Sequence, residues 1–549
     1  MLITKCIYGI LRVHINFLFH NLLYFLKIQT NNNAAERAKL FRILELAYTS
    51  SQASKAQSNI VDDKKILVDG SFENISFWFK SLNILQALRT DSANVFVLCG
   101  PYNRRKTQKI ASLFQFASIN FGFPYFSLLA LKYAKRFYSS LTCSGDIIAR
   151  EFLGIPGKFI YDEVLRKQKL SRVVVDHSAL VTLYFLALRK RHTDEILQHS
   201  SFSYILLSHI HTLDGLALAA SAFERNVQLI MVSGAFGGFR LTKLSSFNDF
   251  FAISSSVKTN EKICKSKLGL ESLFVAGENY LRGRLSGRYD DVGSRFAFGD
   301  LSTSSSSVTK SKICGKFDWD IDKPIIGIYA SKWFDTPHAY DMKNFQDFED
   351  WIRITLECAK KNNDVNWLLK PHPCDDWYGG VTLRDVFVER NSGNIRYVMP
   401  EWRSVDLIDC INGVVTVHGT CGLEFAFSGK TVLCADQGWY SHYGIATVAP
   451  NRKKYCEYIK CGWPIINPKK AYRRACEFAG HFYGRPLDEV SYVMPDDFFQ
   501  DKVSKSLAKL MEDSTEYLAR DRELILKWLS EEDPSFRKFK FRQFDSFTS

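Results

Sequence analysis

Short apolar runs, rich in β-branched and aromatic residues and closed by polar turn residues, recur along the chain with longer amphipathic stretches between them. In the first half these runs are Ile66–Val68, Asn94–Leu98, Arg172–Val175, Tyr204–Leu207, Gln228–Val232 and Phe251–Ile253. In the second half they are Ile325–Tyr329, Trp367–Leu369, Ile395–Val398, Val414–Val417 and Val432–Ala435. Helical spacing fills Leu180–Leu197, Leu216–Glu224 and Phe345–Lys361. Strands alternating with helices cover both faces of a sheet, which predicts parallel, doubly wound sheets. The pattern breaks at Leu301–Lys312 (LSTSSSSVTKSK), a Ser/Thr-rich stretch with the composition of a linker or mobile loop, and then restarts. A chain of 549 residues exceeds one ordinary core. The expected fold class is therefore α/β, two Rossmann-like domains facing across a cleft. Residues 60–300 form the first domain, 301–312 the linker and 313–480 the second domain; 481–549 are expected as C-terminal helices packing back on the first.

Charge narrows the partners. The formal net charge of +14 favours an anionic ligand, yet the basic residues are spread along the chain and carry no zinc-finger, RRM or helix-turn-helix signature. Nucleic acid is therefore not expected. Thirteen cysteines include no CxxC pair, which reads as reduced, mostly packed thiols and a cytoplasmic location. Residues 1–30 are apolar but interrupted by Lys5, Arg12, His14, His20 and Lys27. No run approaches the roughly 18 apolar residues of a membrane span. An amphipathic helix fits, lying either on the inner face of the cytoplasmic membrane or on the domain itself.

Ligands of open α/β sheets bind beyond the carboxyl ends of the strands, so the loops there are the candidates. Val417 is followed by His418-Gly419-Thr420-Cys421-Gly422-Leu423-Glu424, small residues for a tight turn into a helix whose N-terminal amides suit phosphate. Glu424 is placed to hold ribose hydroxyls. Leu369 is followed by Lys370-Pro371-His372-Pro373, where two prolines stiffen the imidazole. Tyr329 is followed by a long polar loop with Ser331, Lys332, Asp335 and His338. Farther on, Tyr440 and His442 in Trp439–Gly444 are candidates to stack a sugar or base.

The order KPHP, then VHGTCGLEFAFSGK, resembles capsule and lipopolysaccharide glycosyltransferases of GT-B type, in particular the group with CMP-sugar-dependent Kdo transferases. The resemblance covers Pro324–Thr447 and only loosely the first half. It implies a nucleotide-sugar site in which His372 and Pro373 match one element and Thr420, Cys421 and Glu424 another; Cys421 stands where the family often has Ser. It implies transfer from a nucleotide-activated donor to a surface polysaccharide or glycolipid, with no cofactor. Teichoic-acid-type transferases of CDP-glycerol or CDP-ribitol, and a non-catalytic relative serving capsule assembly, share these motifs.

An inverting transfer needs a base near the acceptor hydroxyl. In the first half Asp176, His177, His209, His211 and Asp214 end strand-like runs and are the candidates. His209 and His211 lack a third ligand and an HExxH pattern, so no metal is expected. Arg240, after a Gly-rich loop, is a candidate for an acidic sugar or phosphate. Tyr161, Asp162 and Glu163 with Arg166 resemble an acceptor-side element of the family, or form the outer face of a helix.

Overall fold

The computed structural model describes residues 64–71, parts of 77–85, 94–251 and 262–286 with gaps, 308–484 with short gaps, 488–490, 525–530 and 536–541. The helix expected at 1–30 and residues 301–307 of the expected linker lie outside these. By contacts the chain divides into two compact units. One comprises Met1–Val164, Val174–Asp249 and Asp488–Ser549; the other comprises Leu165–Val173 and Phe250–Leu487.

The first unit is built on β1 (Ile66–Asp69), β2 (Val95–Cys99) and β3 (Ala117–Asn120), with a two-residue ribbon of β4 (Glu151–Phe152) and β5 (Ile155–Pro156) set apart. It continues through β6 (Tyr204–Leu207), β7 (Gln228–Ala235) and β8 (Gly238–Leu244). The strands β3-β2-β1-β6-β7 are parallel, and β8 turns back antiparallel on β7. Burial of Ile66, Val68, Val95, Val97, Leu206 and Ile230 follows from helices lying on both faces of such a sheet.

One predicted strand, Arg172–Val175, is not a strand, and another, Phe251–Ile253, begins on the last residue of a helix. Val173–Val175 has no regular structure and leads into the helix His177–Gln198, where the Asp176 side chain accepts from the Ser178 and Ala179 amides. That cap ends the run before a ladder can form. Phe251 closes a short helix, Phe247–Phe251, which starts where Asp249 accepts the Ser245 and Ser246 amides and Ser246 accepts the Asp249 amide. Residues 252–253 lie outside the described residues.

The C-terminal segment also departs from expectation. Beside a helical stretch at 525–530 it supplies strands to the first sheet: β16 (Phe536–Phe541) pairs antiparallel with β8, and β15 (Asp488–Val490) pairs parallel with β16. Ile525 and Trp528 join the first unit's core, with Lys243 Nζ 5.0 Å from the Trp528 ring.

In the second unit β9 (Ile325–Tyr329), β10 (Asn366–Lys370), β11 (Ile395–Tyr397), β12 (Gly413–Thr416), β13 (Thr431–Cys434) and β14 (Thr447–Val448) form one wholly parallel sheet. Its spatial order is β11-β10-β9-β12-β13-β14. Counted from its own first strand this is 3-2-1-4-5-6, the doubly wound order of dinucleotide-binding sheets. The order reverses between β9 and β12. The fold class is α/β with two Rossmann-like sheets. Residues 310–312 of the expected linker are the first turn of the helix Lys310–Phe317, capped by the Thr309 side chain on the Lys312 amide.

Candidate active site

Where β9 and β12 diverge, their following loops lie at the switch point of the sheet. The β12 turn is set from within. Thr416 Oγ1 accepts the Gly419 amide at 3.3 Å, and the amides of Gly422, Leu423 and Glu424 close onto Gly419 and Thr420 to start the helix Cys421–Phe427. A Cβ at Gly419 would stand 2.9 Å from Thr416 Oγ1 and 3.3 Å from Cys421 Sγ, so only glycine passes without displacing them. Gly419, Thr420 and Cys421 are the partly exposed residues of this turn, and the Thr420 hydroxyl makes no cap bond. Burial, with the Glu424 charge, holds the Cys421 thiol protonated, well above its ordinary value.

Around the turn, several expected ligands prove to be supports. Tyr440 is fully buried; its hydroxyl donates to the Gly419 carbonyl at 2.8 Å, and burial pushes its phenol well above the usual value. A Cβ on Gly422 would collide with that hydroxyl. The sugar-stacking role expected of Tyr440 therefore gives way to bracing the turn. His418 is buried, with its ring 4.8 Å from that of Tyr340 and 5.9 Å from that of Phe348. Burial pushes its imidazole down to about 4, so it is neutral and packs the β9 loop against β12. His442 lies in the short 3-10 turn Ser441–Tyr443, its ring 5.4 Å from that of Tyr443.

Glu424, expected to hold ribose hydroxyls, is committed to an ion pair. It is buried and paired through Oε1 with Arg284 Nε at 2.6 Å. Arg284 lies in the last turn of the helix Leu270–Leu285; burial opposes its charge, but Glu424, Tyr280 and Tyr483 hold it protonated, well above its ordinary value.

Lys332 is likewise committed. Its side chain is 1% exposed, and Nζ donates to the Asp375 carbonyl, to Asp375 Oδ1 at 3.1 Å and to the Val381 carbonyl at 3.4 Å. Asp375 Oδ2 in turn accepts the Leu383 amide at 2.8 Å. This cluster ties the β9 loop to the Pro371–Pro373 loop, whose His372 carbonyl accepts the Asp375 amide at 2.9 Å. His372 is half-buried; burial pulls its imidazole below the ordinary value, Asp335 and Asp375 oppose the shift, and Lys332 adds to it. Lys370 donates to the Trp402 carbonyl at 3.2 Å, and burial pushes its ammonium down to about 8. Ser331 is half-buried and Pro373 exposed. The β9 loop is pinned a second time by Asp436 Oδ2, which accepts the Lys343 and Asn344 amides at 2.8 and 2.6 Å.

The first unit has its own switch point, between β1 and β6. The sequence reading missed the residue there with the most perturbed chemistry, Asp69. It ends β1 and is 1% exposed, with Oδ1 accepting from the Ser71 amide at 3.0 Å and from the Ser71 hydroxyl. Oδ2 is buried with no hydrogen-bond partner among the described residues. Burial pushes its carboxyl up to about 6, and the Asp214 charge adds to the rise. The available signal was a strand-terminal Asp before Gly70-Ser71.

Of the expected bases, Asp214 Oδ1 lies 2.8 Å from Arg189 Nε at the start of the helix Leu213–Glu224. His209, exposed, shares a 2.6 Å hydrogen bond between Nδ1 and Ser208 Oγ; the ring of His211 lies 6.2 Å from that of Phe159. Asp176 is a helix cap: burial works against its charge, but Ser178 and Ala179 outweigh it and hold the carboxyl below the usual range, a poor base. His177 is the first residue of that helix, with Nδ1 3.8 Å from Asp176. Arg240 pairs with Ser233 in the β7–β8 ladder, and its side chain is outside the described residues. Tyr161, Asp162 and Glu163 are buried, not the outer face of a helix.

No sequence model of a known family and no curated protein matches the chain. Solved structures similar to it include S. aureus MnaA in a co-structure with UDP, 13% identical over 76% of this chain and 92% of that one, with a TM-score of 0.25. They also include the Thermosulfurimonas dismutans β-Kdo 2,4-transferase KpsC, 12% identical over 50% and 79%, with a TM-score of 0.31. A third is the glycosyltransferase SnogD from Streptomyces nogalater, 10% identical over 83% and 99%, with a TM-score of 0.24.

Proposed function

We propose that the chain transfers a sugar from a nucleotide-activated donor, a CMP-sugar, to a surface polysaccharide or glycolipid. One observation carries the reading. The second sheet has the doubly wound order, and at its switch point a glycine-dependent turn leaves Gly419, Thr420 and Cys421 accessible at a helix start. The donor phosphate is assigned to that turn and to Ser331, with His372 as the neighbouring donor of a hydrogen bond. Lys332, His418, Tyr440 and Glu424 are assigned to holding the loops.

The proton acceptor is assigned to Asp69, assisted by Asp214, in the first unit. An inverting transfer needs a base for the acceptor hydroxyl, and within the first unit Asp69 is the buried strand-end carboxylate proposed to take that proton. No metal is required for the leaving group in this account: EDTA leaves transfer unchanged, whereas loss of transfer restored by Mg²⁺ or Mn²⁺ contradicts it.

A thermal-shift panel tests the donor. Stabilisation by CMP or a CMP-sugar is expected, because a ligand bound only by the native state raises its melting point. Stabilisation by CDP-glycerol alone indicates a polyol-phosphate transferase instead. A chain that no nucleotide stabilises is a non-catalytic relative.

A further inference from the structure

The helix Leu128–Tyr138 (LLALKYAKRFY) is amphipathic the wrong way round for a core helix. Its buried positions are the small residues Ala130 and Ala134, while Leu128 is 75% exposed, Leu129 44% and Tyr133 45%. Burying a leucine or tyrosine side chain is favourable by far more than burying an alanine methyl, so a helix serving only its own unit would place them the other way. At 100° per residue, Leu128, Lys132, Arg136, Leu129 and Tyr133 follow one another around the outward face, with Lys135 at its border. The helix carries three basic side chains and no acidic one. Ser127 caps it through the Ala130 amide, and the Ser127 amide donates to the Tyr184 hydroxyl at 3.1 Å, so the face is presented on a fixed element.

We propose that this face docks on a membrane surface bearing anionic lipid headgroups. Leu128, Leu129 and Tyr133 enter the boundary between headgroups and acyl chains, and Lys132, Lys135 and Arg136 pair with the phosphates. An interleaved apolar and basic face without acids is complementary to that surface, where both chemistries are met within one layer. An acidic protein would satisfy the lysines but leave the leucines to find a separate apolar pocket. The proposal does not depend on the transfer reaction.

The test is co-sedimentation of the full chain with vesicles of equimolar phosphatidylcholine and phosphatidylglycerol, against vesicles of phosphatidylcholine alone. Binding is expected to the mixed vesicles and to weaken with salt. Each basic side chain near such a surface is worth roughly fivefold, so Lys132→Glu/Lys135→Glu/Arg136→Glu loses on the order of a hundredfold. Leu128→Ser/Leu129→Ser/Tyr133→Ser weakens binding at all salt concentrations. All six side chains reach solvent, so both variants keep the wild-type melting temperature and nucleotide binding. Absence of vesicle binding, equal binding to phosphatidylcholine, or undiminished binding by either folded variant overturns the proposal; the last places any lipid contact elsewhere, residues 1–30 included.

Discussion

Single residues divide into those that keep the loops in place and those left to act. Glu424 and Arg284 illustrate the first kind: removing one partner of a buried ion pair strands the other charge, at a cost of about 3–5 kcal/mol. Glu424→Ala is expected to lose about that much stability in urea unfolding, and Glu424→Leu/Arg284→Leu less than the sum of its singles. His418 gives a pH signature. Its folded value of about 4 lies below the ordinary 6.5, so its contribution is complete above pH 6.5 and is lost as pH falls toward 4. The loss amounts to about 2–3 kcal/mol, and His192, pushed down to about 4 by burial and Arg189, adds in the same direction. His418→Phe is expected to flatten the acid limb of stability against pH.

Asp69 has the opposite sign. With a folded value of about 6 against 3.8, its charge opposes folding above pH 6 and that penalty disappears as pH falls toward 3.8. Asp69→Asn is therefore expected to raise the melting temperature at pH 8 while removing transfer. Wild-type kcat should rise as pH passes upward through 6. A variant that is both active and no more stable contradicts the assignment. None of this was legible in the sequence: Asp69 reads as an ordinary strand end, and Glu424 and Arg284 are separated by 140 positions.

At the scale of elements, the second sheet was readable because five of its strands are short runs rich in β-branched and aromatic residues ended by punctuation, such as Tyr329 before Ala330-Ser331 and Thr416-Val417 before His418-Gly419. What spacing could not give was the direction of individual side chains. Lys332 and Tyr440 stand in polar, turn-rich sequence yet point inward, because the loops they belong to need internal ties. Lys332 supplies one to Asp375 and Val381, and Tyr440 supplies one to Gly419. Tyr440→Phe leaves the ring packed and removes the bond to Gly419, costing about 1 kcal/mol. It is expected to weaken nucleotide binding by calorimetry, with little change in the spectrum of the folded state. An unchanged affinity separates the Gly419 turn from the donor. The antiparallel β8 was missed for a related reason: Gly238–Leu244 follows a Gly-rich stretch and mixes apolar with basic residues, so its pairing with β7 is not announced by an apolar run.

For the whole molecule, the chain order is not the order of the units. Residues 165–173 belong with the second unit, where the Lys169 carbonyl accepts the Val381 amide at 3.0 Å, and the C-terminal segment belongs with the first. Ile525 and Trp528 fill the first unit's core and β16 covers the edge of β8, so this segment closes a sheet built from residues about three hundred positions earlier. Trp528→Ala is expected to cost about 3–5 kcal/mol, and a chain ending before Ile525 to aggregate through the opened β8 edge; wild-type solubility and unfolding of that truncated chain contradict this. Among the described residues no helix is long and apolar enough to cross a membrane.

In the proposed function a nucleotide-activated donor sits at the switch point of the second sheet. Hydrogen–deuterium exchange of the full chain with and without CMP-sugar tests it directly. Protection is predicted in 330–338 and 416–424, with a smaller effect at 370–376. A saturated complex whose protection falls only outside these segments places the donor elsewhere and overturns the proposed function.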